Sequence, residues 1–137
     1  MAQEERQLLL ADLCSRLPYQ PKLQIYYEEM SGSGVFDEEL WEIDGDGQYC
    51  NGGRRLEDIK PYLRSMSSMT EEEKEELKEI SRNYLDEWEN AKTPIDKWKL
   101  DAKISYNRSI FYNSHHLDWN GLIELGLALE APEGMYN

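Results

Sequence analysis

The chain has 137 residues, with 28 Asp and Glu against 15 Lys and Arg, a net charge of −13 and a pI near 4.5. That length fits one domain spanning 1–137, and an aromatic share of 11% supplies enough bulky side chains for a core, which argues against a disordered chain. A surface so acidic repels phosphates, which argues against direct nucleic-acid or anionic-membrane binding and makes a protein with a basic surface the natural partner.

Residues 3–17 set Leu9, Leu10, Leu13, Cys14 and Leu17 three and four apart with charges between them, the stripe of an amphipathic helix that Pro18 ends. The start, Met-Ala-Gln-Glu-Glu-Arg, is acidic and polar, unlike an export signal, and no run approaches the ~18 apolar residues of a membrane span. From Lys22 to Glu29 the pattern alternates, with Leu23, Ile25 and Tyr27 on one face and Gln24, Tyr26 and Glu28 on the other. A strand covered on one side reads this way. Residues 31–34 form a Ser-Gly-Ser-Gly turn, 35–44 a second strand, Asp44-Gly45-Asp46-Gly47 a hairpin turn, and 48–50 a short third strand. Pro61 makes 56–63 an ordered connection packing Ile59, Tyr62 and Leu63 rather than a long helix.

Thr70-Glu71-Glu72-Glu73 is a capping box, in which side chain and backbone of Thr70 and Glu73 bond reciprocally. Behind it Leu77, Ile80, Tyr84, Trp88 and Ala91 predict one helix over 70–92. Thr93 and Pro94 start another at N-cap and first helical position, carrying Ile95, Trp98 and Ala102, with a break expected between Lys103 and Ser109. Asp118 is placed to cap a last short helix stopped by Gly126. The expected fold class is therefore α+β: a small antiparallel three-stranded sheet at about 22–51, packed with an N-terminal helix and a C-terminal group of two to four helices.

No catalytic or metal-binding motif is present, and no cofactor is expected. Asp44-Gly45-Asp46-Gly47 lacks a third acidic ligand, and Arg55 stands where a calcium loop needs its bidentate Glu, so it reads as a plain turn. His115 and His116 are adjacent, and neighbouring helical residues diverge by about 100°, which places them poorly for one ion. One packed and one exposed histidine is the expectation. Cys14, on the apolar face of the first helix, and Cys50, in a strand, read as reduced, small hydrophobes.

Three stretches resemble segments of small proteins carried by phages and mobile elements of gut bacteria. They are DLCSRLPY at 12–19, KPYLRSMSSMTEEE at 60–73, and 115–136, which opens HHLDW and closes LALEAPEGMY. They cover a minority of the chain but are spread along its length. The family brings no activity to carry over. The resemblance implies a context, the cytoplasm of a bacterial host cell, and an accessory or anti-defence role such as an anti-CRISPR.

The charge comes in blocks. Residues 28–58 hold 10 acids against 2 bases and 70–92 hold 9 against 4, whereas 93–112 hold 4 bases against 2 acids among Trp98, Tyr106, Phe111 and Tyr112. On the 70–92 helix, Glu72, Glu75, Glu76 and Glu79 stand three or four apart, a row of carboxylates with Cβ spacings of about 5–6 Å that approximates phosphates along one DNA strand. The leading expectation is a non-enzymatic binding protein that occupies the basic surface of a nucleic-acid-binding defence protein through these four residues and the acidic hairpin at Asp37, Glu38 and Glu39. The alternatives are a structural protein forming homo-oligomers through aromatics of 98–119, and a small-molecule-binding protein or hydrolase.

Overall fold

The computed structural model describes residues 1–136. Helix α1 (Gln3–Arg16) leads through a turn containing Pro18 into strands β1 (Lys22–Glu29) and β2 (Gly32–Glu39). The short strands β3 (Tyr49–Cys50) and β4 (Arg54–Arg55) pair with each other outside the main sheet, Cys50 also bridging to Ile43, and β5 (Ile59–Leu63) returns to the main sheet. Helices α2 (Glu71–Arg82), α3 (Leu85–Asn90) and α4 (Pro94–Ser114) follow, and β6 (Leu129–Glu130) closes the chain onto the sheet in the order β2-β1-β5-β6.

The class is α+β, and the helix, sheet and helices come in the expected sequence. The sheet itself differs from the antiparallel meander predicted over 22–51. It has four strands and is mixed, because β6 runs parallel to β5, and the segment around 48–50 stays outside it. Pro61, taken as grounds for a connection, sits inside β5 opposite Leu23. Residues on the Pro61 side of the β5 alternation, such as Leu63, direct their backbone toward β6, and that pairing begins only at Tyr62. The missing N–H of Pro61 therefore falls where no ladder bond is lost.

The inner face of the sheet carries Leu23, Ile25, Ile59 and Leu63, all at most 1% exposed, and α1 lays Leu9 and Leu13 across it. Truncating either leucine to alanine would cost about 2–5 kcal/mol. Leu122, Leu127 and Ala128 complete this core from the C-terminal segment. Cys14, expected on the apolar face of α1, is exposed, because the buried stripe runs instead through Leu9, Asp12, Leu13 and Arg16.

The capping box at Thr70 and Glu73 is present, with both reciprocal hydrogen bonds. The single helix predicted over 70–92 is broken at Asn83 and Tyr84, where the chain turns and the Tyr84 hydroxyl accepts a 2.8 Å bond from Asn107 Nδ2 of α4. Conversely α4 runs unbroken through the predicted interruption. Its apolar residues lie on two opposite faces: Leu100, Ile104 and Phe111 turn inward, while Ile95, Trp98 and Tyr106 are 60–71% exposed. Two faces blur the 3.6-residue period that marks a helix in sequence. Among the described residues no helix forms after Asp118. Its carboxylate accepts from Leu122 N (2.8 Å) and Ile123 N (3.0 Å) as a cap would, but Gly121 at φ 73° bends the chain into successive turns.

Candidate functional site

Strand and helix geometry set where the candidate carboxylates point. Helix α2 buries Glu73 and half-buries Leu77 and Ile80, which turns Glu72, Glu75, Glu76 and Glu79 to solvent along the opposite side. The row is not a bare line of charge. Arg82 lies within it, bonding Glu75 at 2.6 Å and pairing with Glu79, and it holds the Glu75 carboxyl below the usual range. Glu76 lies 3.7 Å from His115 Nε2. Among the described residues Glu72 forms no ion pair.

On β2, Asp37 accepts a 2.8 Å bond from the Tyr62 hydroxyl, Glu38 accepts one of 3.2 Å from Asn51 Nδ2, and the Glu39 side chain is exposed. The α2 and β2 carboxylates are carried on separate elements, a helix after β5 and the edge strand of the sheet.

Sequence reasoning did not find the network that packs α2 against the rest of the molecule. Arg64, just past β5, donates from both terminal nitrogens to Glu73, at 2.8 and 2.6 Å, and His115 Nδ1 lies 2.9 Å from the same carboxylate. Fork-to-fork pairing of this kind is among the stronger charge-assisted geometries. The Arg64 guanidinium and the Thr70 N–H hold the Glu73 carboxyl at about 2. A cleft of about 650 Å³ opens beside the network, lined by Arg64, Ser68, His115 and the segment from Glu130 to Gly134. Its Arg64 fork is already occupied by Glu73, and the Ser68 hydroxyl donates to the Ser65 carbonyl at 2.7 Å. Neither His115 nor His116 hydrogen-bonds to a hydroxyl or thiol among the described residues, so the cleft holds no nucleophile paired with a base.

The two histidines lie past the end of α4, where the divergence of helical neighbours does not apply, and both are half-buried rather than one packed and one exposed. His115 stacks on Phe111 at 4.4 Å, whereas His116, at φ 58°, stacks on Tyr136 at 3.8 Å. Burial pushes the His116 imidazole down to about 4, and its Nδ1 has no hydrogen-bond partner. The Tyr136 hydroxyl stands between β1 and β5, accepting from Lys22 N (2.8 Å) and donating to the Tyr62 carbonyl (2.7 Å). A second buried polar pair, Asp12 with Arg16 at 2.8 Å, ties α1 to the C-terminal turns: Arg16 donates to the Leu117 carbonyl and Asn120 donates to Asp12. At a spacing of four on a helix these two read as a surface pair, and only the fold reveals their burial.

The segment 44–49 is the hairpin turn read from its sequence, closed by Gly47 N to the Asp44 carbonyl and Asp44 N to the Tyr49 carbonyl. Among the described residues no cluster of three His, Cys, Asp or Glu side chains is placed to hold a metal ion, and no helix is long and apolar enough to cross a membrane. Cys50 is buried, which pushes its thiol up to about 11.

Fold and site together define an α+β protein with two solvent-facing carboxylate sets and a packed Arg–Glu–His network. No family model matches the chain, and neither the curated proteins nor the solved structures compared with it give a match.

Proposed function

We propose that the protein is a non-enzymatic acidic binding protein of a phage or mobile element, acting in a bacterial cytoplasm, which occupies the basic surface of a nucleic-acid-binding defence protein and so blocks it. The observation that carries this reading is the placement of Glu72, Glu75, Glu76 and Glu79 on the solvent side of α2, with Asp37 and Glu39 exposed on β2. Encounter with a basic partner would be steered by charge and weakened by salt. Arg82 lowers the net charge of the α2 row, which makes Glu72 and Glu76 the carboxylates that carry most of its field. The test is capture of a partner from host lysate, then measurement of that partner's nucleic-acid binding with and without this protein. A basic partner whose nucleic-acid binding is displaced, with the effect lost in Glu72→Lys/Glu76→Lys, supports the reading. Retention of full effect in that variant removes α2 as the working surface.

A second reading, a homo-oligomer, is favoured by Ile95, Trp98 and Tyr106 on the outer face of α4. Exposed Trp and Tyr on one face are the residue types that anchor interfaces. Sedimentation decides it, because a multimer that persists at high salt and dissolves in Trp98→Glu belongs to this reading.

A further inference from the structure

Strand β2 is the outer strand of the main sheet. Leu40 N donates to the Pro21 carbonyl, so with the β1–β2 register the residues bonded toward β1 are Gly32, Gly34, Phe36, Glu38 and Leu40. Ser33, Val35, Asp37 and Glu39 point their N–H and C=O groups the other way. The last stretch of that edge is already filled. The Asn51 side-chain amide donates to the Glu39 carbonyl at 2.7 Å and accepts from Trp41 N at 2.8 Å, making the two bonds a neighbouring strand would make. Asn51 is held there in a left-handed conformation at φ 49° and is 6% exposed. The next positions, Ser33, Val35 and Asp37, have no hydrogen bond to their outward backbone groups among the described residues, and all three are exposed.

We propose that this open edge takes an extended basic segment of the partner as an added strand, continuing the pairing that Asn51 begins. This rests on the reading of the acidic surface as the partner site, and it names the mode of contact. The edge strand supplies main-chain bonds, and alternate side chains supply the selectivity. Charge selects the occupant. Asp37 and Glu39 stand on the outer face of β2, and the Tyr62 hydroxyl fixes the Asp37 carboxylate in place, with Gln24 behind it at 3.4 Å. Val35, 54% exposed and paired with Tyr26, lies on that face as well. An incoming strand opposite Ser33 to Asp37 therefore needs Lys or Arg at the alternate positions of that face, its charged end reaching the Asp37 and Glu39 carboxylates and its aliphatic stem lying over Val35. A second copy of this chain would bring carboxylates to the same edge, which disfavours self-pairing.

The probe is a fluorescent eight-residue peptide of alternating lysine and valine, titrated into the full chain at low salt. Its control is the same peptide N-methylated at alternate backbone nitrogens, which keeps the charge and removes strand pairing. The expected result is binding with amide shifts concentrated at 33–37, weakened at least tenfold by N-methylation and by Val35→Pro, and retained in Glu72→Lys/Glu76→Lys. Val35→Pro removes an outward N–H without touching a β1 bond, and circular dichroism checks its fold. Should that variant misfold, the N-methylated peptide alone decides. Equal binding of the two peptides overturns strand addition while leaving the acidic surface as the partner site. Binding of neither peptide overturns strand addition at this edge, and the partner-displacement test with Glu72→Lys/Glu76→Lys decides the acidic-surface reading separately. A dimer of the free protein that Val35→Pro dissociates assigns the edge to a second copy and overturns the basic occupant.

Discussion

Arg16 is fully buried on α1, and its Nε bonds the equally buried Asp12. Removing one member of such a pair leaves the other charge uncompensated in the interior, a loss of about 3–5 kcal/mol. Arg16→Met is therefore expected to lower the urea midpoint strongly, and Asp12→Leu/Arg16→Met to recover part of the loss. A single variant with wild-type stability would show the pair to be solvated. His116 supplies a pH-dependent term. Its ring is pushed down to about 4, chiefly by burial and then by Arg16 and Arg64, whereas in the unfolded chain it titrates near ~6.5. The unfolded chain then binds a proton in that window that the folded chain does not. Stability from the neutral ring is complete above pH ~6.5 and falls as pH drops toward 4. Glu73, held at about 2 chiefly by Arg64, adds stability above ~4.5 that is lost as pH falls toward 2. Urea midpoints should decline from pH 7 to 5, and His116→Asn, which tolerates the left-handed backbone, should flatten that first limb. An unchanged slope in the variant would assign the limb to other groups.

For single elements, the sequence speaks clearly where the signal is local. The Thr70 cap is one such case, and Thr70→Ala is expected to cost about 1 kcal/mol, within the 0.5–2 range for lost caps. Thermal melts would register it, and a silent substitution would mean α2 is held by Arg64 and Glu73 alone. The alternation of 22–29 and the cap at Thr93 were legible for the same reason, since both depend on near neighbours. What remained hidden depends on partners far along the chain. Pro61 is acceptable in β5 only because β6 begins pairing one residue later, and nothing near residue 61 announces residue 129. The break at Asn83 and Tyr84 answers to a bond with Asn107, and the Asp118 cap meets Gly121, whose positive φ redirects the chain. The acidic residues were readable as a row on α2, but Arg82, also visible in the sequence, had not been placed within it. The Arg64–Glu73–His115 network could have been suspected only from Glu73 facing inward on the Leu77 side of α2.

Across the whole molecule, buried residues are distributed unevenly. The core joins α1, the sheet and the C-terminal turns, and none of its members lies between Thr70 and Ser114. In the stretch from Asn83 to Lys103 only Leu100 is buried, and Leu85, Ile95 and Trp98 are more than half exposed. Segments with few buried contacts open locally at a fraction of the global free energy. Hydrogen exchange should therefore find amides of α3 and the first half of α4 exchanging well before those of α1, β1 and β5. The same measurement separates the two ways of covering the exposed helix face. If a second copy covers it, protection of 94–106 should rise with protein concentration; if the working surfaces are the carboxylates of α2 and β2, protection there should be independent of concentration and respond only to partner. Exchange in α3 as slow as in β1, at low concentration and without partner, would mean that this helical arm is stabilised by contacts stronger than its exposure implies.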